Sequence, residues 1–370
     1  MPKKVSKISE KLEKKMKKIL IVDDSALMRR VYYDIIESDK RFQVENFAKD
    51  GVEALEFLRK KKYDAVILDV NMPNMNGIQL LKEMKAEGIV AKVIMSSTDT
   101  THGAKVTLDA LELGAIDFMH KPERSYLCKK EEFHDEFLKK LQVVCDSKPG
   151  TAEVKAPVQE QKAEDKAIIE FAKKHKSTGK KIIAVASSTG GPKALQSVIP
   201  RIPQNINAPV LIVQHMPVGF TATLAERLNN MSEITVKEAA EGDEVMNGHA
   251  YLSMGGKHLN VVQKNGKHYI HYSDEPSREG VKPCANYMYE SLIECDYDEA
   301  VCVVMTGMGA DGTEGIQNLK EKKKIHVITQ EKETCAVYGM PKSVDQAGLS
   351  NQQVVLDKIA QEVILAVGVR

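Results

Sequence analysis

Between Lys17 and Gln142, five short apolar runs alternate with longer stretches whose apolar residues recur at i, i+3 and i+4. The runs, at residues 19–22, 42–47, 65–68, 92–95 and 117–119, read as strands. The stretches at 26–37, 51–60, 77–87 and 104–113 read as helices. Five βα units of this brevity imply a parallel, doubly wound sheet that binds ligands beyond the carboxyl ends of its strands.

Composition changes at Ser147, where Lys148, Pro149, Gly150 and Pro157 sit among Lys, Glu and Gln with too little apolar content for a core. The chain therefore divides into a basic extension (1–16), a first α/β domain (17–142), a linker (143–180) holding a short helix at 163–175, and a second domain (181–370). The βα rhythm resumes at Lys181, with strand candidates at 181–186, 208–213, 300–306 and 325–329. Residues 250–273 interrupt it with period-two stretches around Lys264-Asn265-Gly266-Lys267, which predicts a β-hairpin. The second domain is thus expected to be Rossmann-like α/β with a hairpin insertion.

Lys+Arg is 53 against Asp+Glu 52, a formal charge of +1, so bulk electrostatics favour neither nucleic acid nor an acidic membrane. No run reaches the roughly 18 apolar residues of a membrane span, and the lysine-rich start lacks the apolar core of a signal peptide. A cytoplasmic chain without membrane insertion is expected. Ile8, Leu12, Met16 and Ile19 recur at helical spacing in that start, a pattern open to lipid anchoring, but a solvated extension is the simpler reading. The six cysteines include no C-x-x-C pair, which predicts buried free thiols. His268 and His271 fall on opposite faces of one strand of the hairpin, which argues against a metal pair.

Asp23 and Asp24 follow the first strand and Asp69 ends the third, so three carboxylates converge on one crevice. Unpaired, they would repel one another; a hard divalent cation such as Mg2+ and the cation of Lys121, at the end of the fifth strand, relieve this. Ser97 offers a hydroxyl at the same rim. With Asp23-Asp24, Leu68-Asp69-Val70-Asn71-Met72-Pro73, Ser97 and Phe118-Met119-His120-Lys121-Pro122, the segment resembles response-regulator receiver domains, which have the flavodoxin-like fold. The resemblance implies that Asp69 is the phosphoacceptor, that Asp24, Asp69 and the Asn71 carbonyl hold Mg2+ with Asp23 in support, and that Ser97 and Lys121 read the phosphoryl group.

In the second domain the strand at 181–186 runs into Ser187-Ser188-Thr189-Gly190-Gly191-Pro192, a strand-to-helix turn that exposes a serine near backbone N–H groups. A later strand ends in Gln214-His215-Met216-Pro217, and another in Gly307-Met308-Gly309-Ala310-Asp311-Gly312. A parallel sheet lets serine, histidine and aspartate meet there. Two rival readings exist. Gly307–Gly312 spells a dinucleotide fingerprint with Glu331 about 20 residues on, although such a motif normally opens its domain. An α/β-hydrolase elbow would need another glycine before Ser188 and the order Ser, Asp, His.

These motifs, with Val337-Tyr338-Gly339-Met340-Pro341, make residues 181–347 resemble the catalytic domain of chemotaxis protein-glutamate methylesterases, which usually have a small residue such as glycine where Ser187 stands. By that resemblance Ser188 is the nucleophile, His215 the base, Asp311 its orienting group and the Met308 N–H an oxyanion donor, with no cofactor for the ester reaction. It further implies glutamyl methyl esters on the cytoplasmic helices of methyl-accepting chemoreceptors as substrate, and recruitment to receptor arrays. A chemotaxis histidine kinase would be the phosphodonor, and deamidation of receptor glutamines a second reaction. An output that binds DNA would show a basic helix-turn-helix, for which the second half has no pattern; a non-catalytic interaction output is the remaining alternative.

Overall fold

The structure, a computed structural model, describes residues 16–97, 101–121, 131–148, 158–174 and 178–370. The basic extension up to residue 15, Pro122, Cys128 and residues 149–157 of the expected linker lie outside the described residues. The chain divides into two compact units.

The first unit, residues 1–99 and 109–151, holds β1 (Lys17–Val22), α1 (Ala26–Glu37), β2 (Phe42–Ala48), α2 (Gly51–Lys60), β3 (Ala65–Asp69), α3 (Gly77–Ala86), β4 (Val93–Ser97), the end of α4 (Thr101–Glu112), β5 (Asp117–His120) and α5 (Glu131–Asp146). Its five strands lie in the order β2-β1-β3-β4-β5, all parallel. The order reverses at β1, so the crevice opens past the ends of β1 and β3, where Val22 pairs with Leu68 and leaves Asp23 beside Asp69. β3 and β4 are buried along their whole length, which is why they read as unbroken apolar runs. Side chains start the helices: Ser25 accepts from the Met28 N–H, Asp50 from Glu53, and Asn76 and Gln79 form a reciprocal capping box.

The second unit begins with α6 (Val158–Lys174), followed by β6 (Lys181–Ser187), α7 (Gly191–Val198), β7 (Val210–Gln214), α8 (Phe220–Met231), β8 (Thr235–Glu238), β9 (His249–Leu252), β10 (His258–Lys264) and β11 (Lys267–Ser273). Then come α9 (Ala285–Ser291), β12 (Glu299–Val304), α10 (Thr313–Lys322), β13 (Lys324–Gln330), α11 (Met340–Gln346), β14 (Gln352–Val354) and α12 (Ile359–Val367). Seven parallel strands lie in the order β14-β13-β12-β6-β7-β9-β8. The chain lays strands to one side of β6 and then to the other, so β6 and β12 flank the switch point. β10 and β11 form the expected hairpin: Lys264 pairs with Lys267 across Asn265 (φ 52°) and Gly266 (φ 75°), the two left-handed residues of a type I′ turn. β9, within the block expected to interrupt the sheet, instead joins it beside β7.

The stretch whose composition reads as linker contains a longer helix than expected, and that helix is docked. On α6, Asp165, Ile168, Ile169 and Ala172 are partly or fully buried, a stripe of helical period. The Arg201 guanidinium grips the Asp165 carboxylate through Nε at 2.8 Å and Nη2 at 2.5 Å. Gln361 on α12 adds a third donor to Asp165 at 3.0 Å, and Lys358 pairs with Glu164. Composition missed this because the anchors are polar groups whose partners lie far along the chain.

Arg201→Ala should therefore release α6. Trypsin cleavage at Lys166, Lys173 and Lys174 is expected to run about tenfold faster than in the wild type, the factor given by about 1.4 kcal/mol of lost docking free energy. An unchanged cleavage rate would show that the Arg201–Asp165 pair does not hold the helix.

Candidate functional site

At the switch point of the second sheet, Ser187 pairs with Gln214 across β6 and β7, so the next residues, Ser188 and His215, emerge side by side. The His215 N–H donates to the Ser187 carbonyl at 3.1 Å, and the Ser188 N–H donates to the Thr306 carbonyl at 3.0 Å, tying both to the ends of neighbouring strands. Gly307 passes directly over Ser188: a Cβ there would lie 2.8 Å from the Ser188 Cβ and 2.4 Å from the Met340 sulfur. Only glycine lets the chain after β12 run this close to the serine.

The two adjacent serines have different fates. Ser187 is fully buried and its hydroxyl donates to Gln214 Oε1 at 2.7 Å, whereas Ser188 lies half-buried at the rim. Gln214 Nε2 in turn donates to the carbonyls of Ser188 at 2.9 Å and His215 at 3.1 Å. One buried amide thus fixes the backbone on both sides of the crevice. Gly191 makes room for it, because a Cβ there would fall 1.9 Å from Gln214 Oε1.

His215 Nε2 lies 2.7 Å from Asp311 Oδ2, which leaves Nδ1 as the ring's second nitrogen. Asp311 is buried and collects three more donors: the Ala285 N–H at 2.6 Å, the Asn286 N–H at 2.9 Å and the Cys284 thiol at 3.0 Å. Burial is the largest influence on this carboxyl and pushes it up, but the His215 ring, the Cys284 thiol and the Ala285 N–H together hold it below the usual carboxylate value. Burial, with the charge of Asp311, keeps the Cys284 thiol well above its ordinary value, hence protonated and able to donate. Met308 sits on the same β12–α10 loop with 38% of its surface exposed.

In the first unit, Asp23, Asp24 and Asp69 each place an oxygen within 4.8 Å of the others, and Lys121 Nζ lies 2.9 Å from both Asp23 and Asp69. The Lys121 N–H donates to the Ser97 carbonyl at 2.7 Å, which brings Ser97 to the same rim, and Asn71 lies two residues past Asp69 on the exposed loop. One lysine cannot neutralise three carboxylates. Burial first, and then the charge of Asp23, push Asp69 up to about 6 against the pull of Lys121. An all-oxygen, over-acidic set of this kind fits a hard divalent cation such as Mg2+.

Elsewhere, the five described cysteines are free and buried. His268 is buried and stacked on Tyr297, whereas His271 is exposed beside Glu241. No described helix is long and apolar enough to cross a membrane. Gln214 and the segment Cys284-Ala285-Asn286 escaped the sequence analysis. The only local signal for Gln214 was a polar residue closing an apolar strand; for the donors to Asp311, two of them backbone, there was none.

A doubly wound acidic receiver unit followed by an α/β unit with serine, histidine and aspartate at one switch point defines a response regulator with a hydrolase output. Residues 19–130 match the response regulator receiver domain family, and residues 183–363 match the CheB methylesterase family. A protein-glutamate methylesterase/protein-glutamine glutaminase of Bacillus subtilis is 38% identical over 94% of this chain and 98% of its own length. One from Pyrococcus abyssi is 40% identical over 95% of this chain and 93% of its own. The crystal structure of the Thermotoga maritima CheB methylesterase catalytic domain is 40% identical and covers 52% of this chain and all of its own, with a TM-score of 0.50. The chain belongs to the receiver-bearing protein-glutamate methylesterase family.

The acidic pocket carries a pH-dependent prediction. Because the folded-state value of Asp69 is about 6, against an ordinary 3.8, ionising it costs stability as pH rises through about 6. Mg2+ held by the ionised carboxylates would offset that cost. Added Mg2+ should therefore raise the unfolding midpoint of the receiver more at about pH 8 than at about pH 5, as read by thermal denaturation. Equal shifts at both pH values would contradict the assignment.

Proposed function

We propose that this protein hydrolyses glutamyl methyl esters on the cytoplasmic helices of methyl-accepting chemoreceptors, under control of phosphorylation at Asp69 by a chemotaxis histidine kinase. The observation that carries the ester chemistry is the 2.7 Å bond between His215 and a buried Asp311, on a ring set beside Ser188 by strand register. His215 Nδ1 takes the Ser188 proton as Oγ attacks the ester carbonyl, and the tetrahedral oxyanion turns to the Met308 N–H. The imidazolium, stabilised by Asp311, returns the proton to the leaving methoxide. Water, activated by the same ring, then releases the glutamate side chain from Ser188. An amide in place of the ester gives ammonia by the same steps, which accounts for glutamine deamidation. None of these steps calls for a cofactor.

In the receiver, the Asp69 carboxylate attacks phosphorus as the P–N bond to the kinase phosphohistidine breaks and its imidazole leaves, while Asp23 orients the pocket and Lys121 and Ser97 meet the phosphoryl oxygens. Mg2+ held by Asp24, Asp69 and the Asn71 carbonyl would neutralise charge on the transferring group. The rival nucleotide reading of Gly307–Gly312 is disfavoured by contacts already made. The Gly312 and Gly315 N–H groups, which a pyrophosphate would need, donate to the Asn286 side chain at 3.0 and 2.7 Å.

Ser188→Ala should lower methanol release from methylated receptor by at least about 10⁴-fold while leaving the fold intact. Ser187→Ala should keep most activity and lose about 1 kcal/mol of stability, since Gln214 Oε1 loses its donor. The opposite ranking of the two variants would move the nucleophile to Ser187. Asp69→Asn should abolish acceleration by a small-molecule phosphodonor; normal phosphoryl uptake by that variant would place the acceptor elsewhere.

A further inference from the structure

Asn286 is fully buried on the first turn of α9 and commits its polar groups to the two sides of Asp311. Its backbone N–H donates to Asp311 Oδ1 at 2.9 Å. Its side-chain Oδ1 accepts from the N–H of Gly312, the residue after Asp311, at 3.0 Å and from the N–H of Gly315 at 2.7 Å. Its Nδ2 donates to Glu279 Oε1 at 3.0 Å. The helices meet closely here: a Cβ on Gly315 would lie 2.6 Å from the Asn286 Cα.

We propose that Asn286 is the positioning residue of the hydrolytic site, clamping the peptide after Asp311 so that its carboxylate stays aimed at His215. The inference rests on the Ser188, His215 and Asp311 reading above. The carboxylate is held from one side by the start of α9 and the following peptide from the other by the Asn286 amide, so the Asp311 backbone and side chain cannot turn independently. Without that amide, two buried N–H groups lose their acceptor. The loop after Gly309 (φ 87°) and the glycine at 312 (φ 93°) then offer little resistance to rotation. A shift of the carboxylate degrades the His215 bond, and displacements of about 1 Å cost roughly 100-fold in rate. Asn286 itself has no exposed surface from which to touch a substrate.

The test compares full-length wild type with Asn286→Ala and Asn286→Ser, reading methanol release from methylated receptor and the rate at which a fluorophosphonate labels the active serine. Ala and Ser should lower kcat by roughly 10- to 100-fold with KM within about twofold, and should slow labelling in parallel. If Ala does not fold, Ser decides. A folded Ala or Ser variant with wild-type kcat and labelling rate would overturn the proposal, as would a loss confined to KM. Ser188→Ala serves as the control: if it releases methanol like wild type, the underlying reading has failed, whereas if it is inactive and the Asn286 variants are not impaired, only the clamp is wrong.

Discussion

The second unit is organised around one buried carboxylate. Removing an ionised group of this kind from water costs on the order of several kcal/mol. Asp311 meets that cost with four donors drawn from two separate stretches of chain: the His215 ring after β7, and the Cys284 thiol and two backbone N–H groups at the start of α9. Satisfying the carboxylate therefore fixes the relative positions of β7, α9 and the loop after β12. The same contacts that let Asp311 ionise in the interior also set the orientation of the histidine beside Ser188. Stability and the geometry of the candidate site are here one set of hydrogen bonds.

The two units use the same topological opportunity in opposite electrostatic ways. Both gather polar side chains past the carboxyl ends of parallel strands, where backbone direction changes and side chains can converge. In the second unit the buried negative charge is compensated by the protein, and Asp311 is held down. In the first, one lysine faces three carboxylates and Asp69 is pushed up to about 6. A compensated site is ready to act as it stands. An over-acidic one favours whatever brings positive charge, which suits a pocket that binds a cation and takes up a phosphoryl group.

Much of this was legible in the sequence because the central strands are buried on both faces. β3, β4, β7 and β12 are buried along their whole length and carry unbroken apolar runs, and the polar residue that ends the run marks the rim of the crevice. Asp23, Asp69, Ser188 and His215 could be placed on that basis, and Asn265-Gly266 announced its own turn. The short strands β8, β9 and β14 were not legible, since they span four, four and three residues. Nor were the supports: Gln214 under the two serines, Asn286 behind Asp311, and Arg201 on α6. Each acts through a polar partner distant in sequence, and periodicity carries no trace of such pairs. The serine that stands where the family usually has a small residue is a case in point. Ser187 adjoins Ser188 in sequence, but its hydroxyl is spent on Gln214.

The proposal that Ser188 carries the acyl group of the substrate can be decided by trapping that intermediate. Turnover of methylated receptor would be quenched in acid and the peptides mapped by mass spectrometry. A receptor-derived acyl adduct is expected on Ser188, lost in Ser188→Ala and retained in Ser187→Ala. An adduct on Ser187, or methanol release from a Ser188→Ala protein at the wild-type rate, would contradict it.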